Sequence, residues 1–226
     1  MSDDQRALAR ARARQLALDT IAGGDPTSWF DALYRSASGD AGAIPWARLG
    51  PNPMLVEWLG MHHIEATGKR ALVVGCGLGD DAEALAKYGF DVSAFDISPE
   101  AIEWCHRRFP ESPVHYAVDN LLALTDDWNG RFHFIMEAYT LQALPDQTLR
   151  MQAAKNLARC LAPNGVLLVI CFGREPNEVQ ASLPWPLSPD DLAIFPQCGL
   201  REVSFERLTD AEGVKRFRVH YEPASS

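Results

Sequence analysis

The stretch LVVGCGLGDDAEAL, residues 72–85, decides how the chain folds. A short apolar run leads into three alternating glycines and then two aspartates. This pattern predicts a buried strand, a tight turn and the start of a helix. Glycines at such a turn let a ligand approach the backbone closely. The turn therefore predicts a ligand site, and the residues around it indicate which class of ligand binds there.

The spacing of these glycines argues against two nucleotide motifs. The order is Gly75-x-Gly77-x-Gly79, and Asp80 stands where the dinucleotide fingerprint has its third glycine. Two acids in the first helical turn already face the positive end of the helix dipole, which disfavours a pyrophosphate there. No Gly-Lys-Ser/Thr follows, so the turn is not a P-loop. We expect a ligand with little negative charge, or with a positive one.

Strands and helices alternate from residue 70 onwards, which is typical of a doubly wound parallel sheet. The predicted strands are 70–74, 91–95, 113–118, 132–137 and 165–172, and the predicted helices are 80–88, 98–108 and 145–161. LREVSFERL and VKRFRVHYEP, at the end of the chain, predict a closing hairpin. The predicted fold class is α/β, with a doubly wound, mostly parallel, seven-stranded Rossmann-like sheet and an antiparallel C-terminal hairpin.

The N-terminal third follows a different pattern. Residues 3–22 and 53–63 predict helices, whereas 27–52 carry many aromatic residues with little regular periodicity. That aromatic segment either fills the core over the sheet or forms a lid on a ligand. We expect a cap segment at 1–66 and one ligand-binding domain at 67–226.

Acidic residues follow the second and third predicted strands. Asp96 ends VSAFDIS, and an acid there can bind both hydroxyls of a ribose. Asp119 ends the next strand, where it can accept from an exocyclic adenine amine, with Asn120 and Leu121 offering backbone and apolar contact. Because ligands of such sheets bind outside the carboxyl ends of the strands, these features predict one nucleoside site.

The order VVGCGLGDDAEAL, VSAFDIS, AVDNLL, FHFIMEAYTLQAL and NGVLLVI resembles the class I S-adenosylmethionine-dependent methyltransferases, from about residue 50 to the C-terminus. The resemblance implies glycines around the methionine moiety, Asp96 on the ribose and Asp119 by the adenine. It also implies that Glu137, Ala138 and Tyr139 line the floor beside the sulfonium. The predicted cofactor-binding residues are Gly75, Cys76, Gly77, Gly79, Asp96, Ile97, Asp119, Asn120, Leu121, Glu137 and Trp46.

A narrower set of motifs is similar to the thiopurine, thiol and halide methyltransferase branch. These motifs are the N-terminal aromatic residues, PNPMLVEWL and LPWPLSPDDL. In that branch the N-terminal aromatic segment folds over the cofactor. His133 departs from the family, which often has an acid there, and we interpret it as structural.

The resemblance implies methyl transfer from S-adenosylmethionine to a small-molecule nucleophile, with a sulfur or oxygen acceptor favoured and an aromatic or thiol substrate expected. Tyr139 is the candidate catalytic residue, because it should project near the methyl group. Trp29, Tyr34 and Arg174 are candidate substrate-binding residues. Two alternatives stay open: a noncatalytic protein that binds S-adenosylmethionine, and an NAD-dependent oxidoreductase.

Composition excludes other classes of function. The net charge of −9 disfavours nucleic acid as a partner, because phosphate binding needs clustered Lys and Arg. No apolar stretch approaches the length of a membrane span. The five cysteines have no paired spacing, so neither disulfides nor a metal site is expected. We expect a cytoplasmic protein, and its oligomeric state is left open.

Overall fold

A seven-stranded sheet forms the centre of the molecule in the computed structural model, which describes residues 3–178, 183–210 and 212–224. The strand order is β3-β2-β1-β4-β5-β7-β6. The first five of these strands are parallel, β7 is antiparallel to β5, and β6 is antiparallel to β7. The strands are β1 Arg70–Val74, β2 Asp91–Asp96, β3 His115–Val118, β4 Phe132–Ala138, β5 Leu161–Phe172, β6 Leu200–Thr209 and β7 Lys215–Pro223. The predicted fold class, with its closing hairpin, is confirmed.

Helices cover both faces of the sheet, which explains why the central strands are apolar on both sides. The helices are α1 Asp3–Ala22, α2 Ser28–Ala37, α3 Pro53–His62, α4 Asp80–Tyr88, α5 Pro99–Arg108, α6 Gln147–Cys160, α7 Pro189–Leu192 and α8 Ile194–Gln197. One core packs α3 and α4 on the sheet, and another packs α6 and α8 on the opposite face. Strand β4 shows the result, because its residues 134–137 are all buried.

The strand order reverses between β1 and β4, at the centre of the sheet. Ligands of open α/β sheets bind in the crevice outside the carboxyl ends of the strands at this reversal. We call this side of the sheet the ligand edge. The glycine turn follows β1 there. His133 lies at the opposite edge, where its Nδ1 accepts the N–H of Arg70 at 3.2 Å, in keeping with a structural role.

The N-terminal segment is more regular than its sequence suggested. The expectation of little periodicity across 27–52 is wrong for its first part, because α2 is a helix that buries one face. Its buried residues are Trp29, Leu33, Tyr34 and Ala37. The glycines and prolines from residue 39 onwards diluted this helical spacing over the longer window. Together with α1 and residues of α5, this face forms a third apolar cluster.

The predicted boundary between the cap segment and the ligand-binding domain, at residue 66, stays a proposal. Helix α3 packs within the sheet's own core through Leu55, Trp58 and Leu59. The apolar cluster shared by α1 and α2 also contains Leu78, Ala101 and Trp104 of the sheet domain, but no described residue of α3 belongs to it. We therefore propose that the cap consists of the chain preceding α3, since only α3 shares the core of the sheet with α4. No helix among residues 3–178, 183–210 and 212–224 is both long and apolar enough to cross a membrane.

Ser98 joins the N-terminal segment to the sheet domain. It is fully buried and caps α5, since its Oγ accepts the N–H of Ala101 at 3.1 Å. The same hydroxyl donates to Oδ1 of Asp31 on α2 at 2.8 Å. Asp31 also accepts the N–H of Glu100 at 3.3 Å. Ser98 and Asp31 therefore form a polar contact between α2 and α5.

Ser98→Ala should lower the free energy of unfolding by about 2 kcal/mol, from a lost helix cap and a lost hydrogen bond to a carboxylate. Urea unfolding monitored by tryptophan fluorescence measures this change. Ser36→Ala, at an exposed position of α2, is the matched control and should change stability by less than about 0.5 kcal/mol. Equal stabilities of the two variants would contradict the role of Ser98.

Candidate active site

The glycine turn has a backbone conformation that other residues rarely adopt. Gly75, Gly77 and Gly79 have φ angles of 58°, 54° and 87°, in the left-handed region. A Cβ on Gly77 would lie 3.2 Å from the hydroxyl of Tyr34, and one on Gly79 would lie 2.6 Å from the hydroxyl of Tyr116. The turn therefore requires glycine for both conformation and space.

The two acids that follow the turn have different partners. Asp80 forms a two-pronged ion pair with Arg108 of α5, with both N–O distances at 2.8 Å. Asp81 accepts the backbone N–H of Asn52, the residue that caps α3, at 2.6 Å. Burial raises the pKa of Asp81 to about 6. Asp80 is thus a link between helices, whereas Asp81 joins the turn to the start of α3.

Asp96 reaches back from the end of β2 to the glycine turn. Its Oδ2 accepts the N–H of Gly77 at 2.9 Å, and its Oδ1 accepts the N–H of Ser98 at 3.0 Å. Burial raises the pKa of this carboxyl. A carboxylate offers about four lone-pair sites, so two acceptor positions stay free for a ligand. This arrangement fits a pair of ribose hydroxyls.

The end of β3 lies beside Asp96, because the N–H of Asp119 donates to the Asp96 carbonyl at 3.1 Å. One carboxylate oxygen of Asp119 accepts the N–H of Asn120 at 2.7 Å, which leaves the other oxygen for a ligand. Asp119 is half-buried and Leu121 is buried. Ile97, also half-buried, follows Asp96 directly. The structure thus brings the predicted ribose and adenine residues together, and they fit a nucleoside.

Glu137 holds the loop after β4 in place through hydrogen bonds to its backbone. This side chain is fully buried, and its Oε1 accepts the N–H groups of Thr140 at 2.8 Å and Leu141 at 3.0 Å. Among the described residues, Oε2 has no hydrogen-bond partner. Burial raises the pKa of Glu137 to about 7. Its position beside a sulfonium stays a prediction, whereas its role in shaping the loop is direct.

Tyr139 follows in the same loop with a φ of 64°, a conformation rare for tyrosine. Its N–H donates to the carbonyl of Ile170 at 3.0 Å, which holds the loop against β5. Its ring centroid lies 5.3 Å from that of Phe172, the last residue of β5. Tyr139 therefore sits at the ligand edge on a fixed backbone, and its catalytic role stays a prediction.

The cap packs directly on the glycine turn through two of the predicted aromatic residues. Trp46 donates from Nε1 to the Tyr34 hydroxyl at 2.8 Å, and that hydroxyl lies over Gly77. Trp29 is buried behind them, with its ring 5.9 Å from that of Trp46. Tyr34 and Trp46 thus border the site, while Trp29 supports them.

Arg174 is engaged within the protein. Its Nη2 pairs with Asp191 at 2.7 Å and its Nε donates to the carbonyl of Pro186 at 3.1 Å. Its Nη1 donates to the carbonyls of Glu175 and Glu178. These bonds fasten the loop after β5 to α7, and the predicted substrate contact of Arg174 stays a prediction.

Sequence reasoning missed three polar residues at this edge, namely Asn52, Asp81 and Arg216. Asp81 was visible as the second acid of the turn. Asn52 precedes Pro53 in a helix-start pattern, which announces a cap but says nothing of the site. Arg216 stacks on Phe172 because β7 pairs with β5. The residues next to Arg216 in the sequence do not predict this pairing.

Residues 71–165 match the model of a protein family described as the methyltransferase domain. This part of the chain is similar to that family. Its strands β1 to β4 carry the glycine turn, Asp96, Asp119 and the loop of Tyr139. The match agrees with the predicted methyltransferase class and with the predicted cofactor, S-adenosylmethionine.

Two curated proteins that match this chain are named as methyltransferases. The ubiquinone biosynthesis O-methyltransferase of Xanthomonas oryzae pv. oryzae is 31% identical over 127 residues, which are 55% of this chain and 52% of that protein. The 2-methyl-6-phytyl-1,4-hydroquinone methyltransferase of Synechocystis is 32% identical over 117 residues, 51% of this chain and 35% of that protein. The match thus spans about half, or less, of these relatives.

Solved structures extend the likeness over most of the chain. The N-methyltransferase NodS from Bradyrhizobium japonicum, solved with S-adenosylhomocysteine, has a TM-score of 0.68 at 22% identity, covering 86% of this chain and 97% of NodS. The [4+2]-cyclase SpnF has a TM-score of 0.71 at 15% identity, covering 88% of this chain and 97% of SpnF. Because a protein named as a cyclase shares this fold with a protein named as a methyltransferase, these likenesses establish the architecture and not the reaction.

Proposed function

We propose that this protein transfers the methyl group of S-adenosylmethionine to a small aromatic molecule, with a phenolic oxygen as the acceptor. The observation that carries the proposal is the carboxylate of Asp96, buried against the N–H of Gly77 with acceptor positions to spare. A nucleoside that enters along the glycine turn would place its ribose hydroxyls at this group. The acid in place of the third fingerprint glycine, Asp80, supports a cofactor without a pyrophosphate.

The cofactor, when bound, supplies an electrophilic methyl group on a sulfonium. In our proposal Asp96 holds the ribose, Asp119 and Leu121 hold the adenine, and the backbone of the glycine turn accommodates the methionine part. Tyr34 and Trp46 exclude water from the turn. Alignment of the acceptor and removal of water account for most of the rate in such a displacement.

One feature supports an aromatic acceptor, and another supports an oxygen acceptor. Tyr139 and Phe172 present rings at the ligand edge, beside the point where β1 and β4 end. The ubiquinone biosynthesis O-methyltransferase of Xanthomonas oryzae pv. oryzae, named for an oxygen acceptor, matches 55% of this chain. The packing of the aromatic cap on the glycine turn supports a lid of the kind found in the thiopurine, thiol and halide branch. Thiols are therefore included among the acceptors to be tested.

The test has two stages. Isothermal titration should show binding of S-adenosylmethionine and S-adenosylhomocysteine and no tight binding of NAD. A panel of catechols, hydroquinones, aromatic thiols and iodide, incubated with S-adenosylmethionine, should then release S-adenosylhomocysteine with the phenols. Tight binding of NAD alone would favour an oxidoreductase. Cofactor binding without turnover of any acceptor would favour a noncatalytic protein, and turnover of thiols alone would correct the acceptor atom.

A further inference from the structure

Arg216 lies at the ligand edge of the sheet, on the strand next to β5. It pairs with Phe172 across the β5–β7 ladder, and its guanidinium carbon is 3.7 Å from the centroid of the Phe172 ring. The same carbon is 5.5 Å from the centroid of the Tyr139 ring. The guanidinium therefore borders the acceptor side of the site, beside the rings that we assign to the acceptor.

Most of the hydrogen-bonding capacity of this guanidinium is unused. Nη2 donates to Oδ2 of Asp210 at 2.6 Å. Nε and Nη1 are buried and have no acceptor among the residues that the structure describes. The residue as a whole is 5% exposed. Buried cationic N–H groups are costly without acceptors, so such a group in a folded protein requires an explanation.

Arg218, two residues along the same strand and on the same face, shows how a purely structural arginine is satisfied. It donates to both carboxylate oxygens of Glu206, at 2.9 and 2.7 Å, and also to Glu57 and the carbonyl of Met54. All three of its nitrogens have acceptors. The contrast indicates that Nε and Nη1 of Arg216 donate to an acceptor on a ligand.

The surroundings define the chemistry of that acceptor. A guanidinium fork matches a carboxylate with two parallel hydrogen bonds. The rings of Phe172 and Tyr139 beside it favour a flat molecule. Burial raises the pKa of Tyr139, while the charge of Arg216, whose guanidinium carbon is 5.5 Å from the ring centroid, acts in the opposite direction. A planar anion satisfies both features.

We propose that Arg216 binds the carboxylate of an aromatic acid, which makes a hydroxybenzoate-type molecule the methyl acceptor. The proposal deepens the function proposed above and rests on it for the reaction. The binding of the anion itself depends only on Arg216 and the two rings.

Two probes that differ only in charge test this proposal, 3,4-dihydroxybenzoate and its methyl ester. Titrated into protein saturated with S-adenosylhomocysteine, the acid should bind on the order of 10- to 100-fold more tightly than the ester. Arg216→Met should abolish this preference by weakening the acid alone. Arg207→Met is the matched control, because Arg207 also stacks on a phenylalanine of the hairpin but is exposed. Arg207 pairs with Phe217 in the ladder, which places Arg207 on the face of the sheet opposite to Arg216. This control should keep the preference.

Equal affinities of acid and ester for the wild-type protein would overturn the proposal, and so would a loss of both affinities in Arg216→Met. Failure of the acid to bind protein that holds S-adenosylhomocysteine would overturn it as well. The wild-type comparison decides the matter if Arg216→Met does not fold. Failure of S-adenosylhomocysteine to bind would contradict the proposed function instead, and the two probes would then be compared on the protein alone.

Discussion

Asp96→Ala is expected to abolish measurable binding of S-adenosylmethionine while leaving a folded protein. Two hydrogen bonds from ribose hydroxyls to a carboxylate contribute about 1.5–3 kcal/mol each, so the Kd should rise on the order of 10²- to 10⁴-fold. Isothermal titration of the variant with S-adenosylmethionine and S-adenosylhomocysteine measures the change.

The design must separate ligand binding from folding, because Asp96 also accepts the N–H groups of Gly77 and Ser98. Thermal unfolding without ligand measures that structural contribution. Asp96→Asn is a second variant that keeps one acceptor oxygen. Asp91→Ala is the matched control, since Asp91 begins the same strand at the opposite edge and is exposed. An unchanged Kd in Asp96→Ala would overturn the ribose assignment.

The parts of the fold that the sequence predicted well are those in which local pattern and burial agree. Val73 and Val74 precede a glycine turn, and GVLLVICF is apolar on both faces because helices cover both sides of the sheet. Ser98 followed by Pro99 predicted the start of α5, and the hydroxyl caps that helix in the structure. In these places each local preference points to the same structure.

The parts that sequence could not predict depend on contacts between distant segments. The ladder sets Arg216 opposite Phe172, and no local pattern near residue 216 announces that pairing. Asn52 meets Asp81 because α3 begins above the glycine turn. The acceptor side of the site is assembled mainly from such contacts, whereas the proposed cofactor side is assembled from motifs next to single strands. This difference explains why the sequence pointed to the methyl donor and left the acceptor open.

Glu137 offers a second large effect, in the pH dependence of stability. Its carboxyl is fully buried, accepts only two backbone N–H groups and has no cation among its hydrogen-bond partners in the described chain. Burial raises its pKa from the usual 4.5 to about 7. Between these pH values the folded protein binds more protons at this site than the unfolded chain does. The contribution of Glu137 to the free energy of unfolding is therefore present in full at low pH and declines as the pH rises to about 7.

Glu137→Gln should remove this decline, because the amide keeps an acceptor for Thr140 and Leu141 but does not ionise. Relative to wild type, the variant should gain about 3 kcal/mol in free energy of unfolding between pH 4.5 and pH 8, since each pKa unit corresponds to 1.36 kcal/mol. Urea unfolding at several pH values measures both curves. Glu103→Gln, at an exposed position of α5, is the control and should run parallel to wild type. Parallel curves for Glu137→Gln would show that the carboxyl ionises as freely in the folded protein as in the unfolded chain, which would contradict the raised pKa of Glu137.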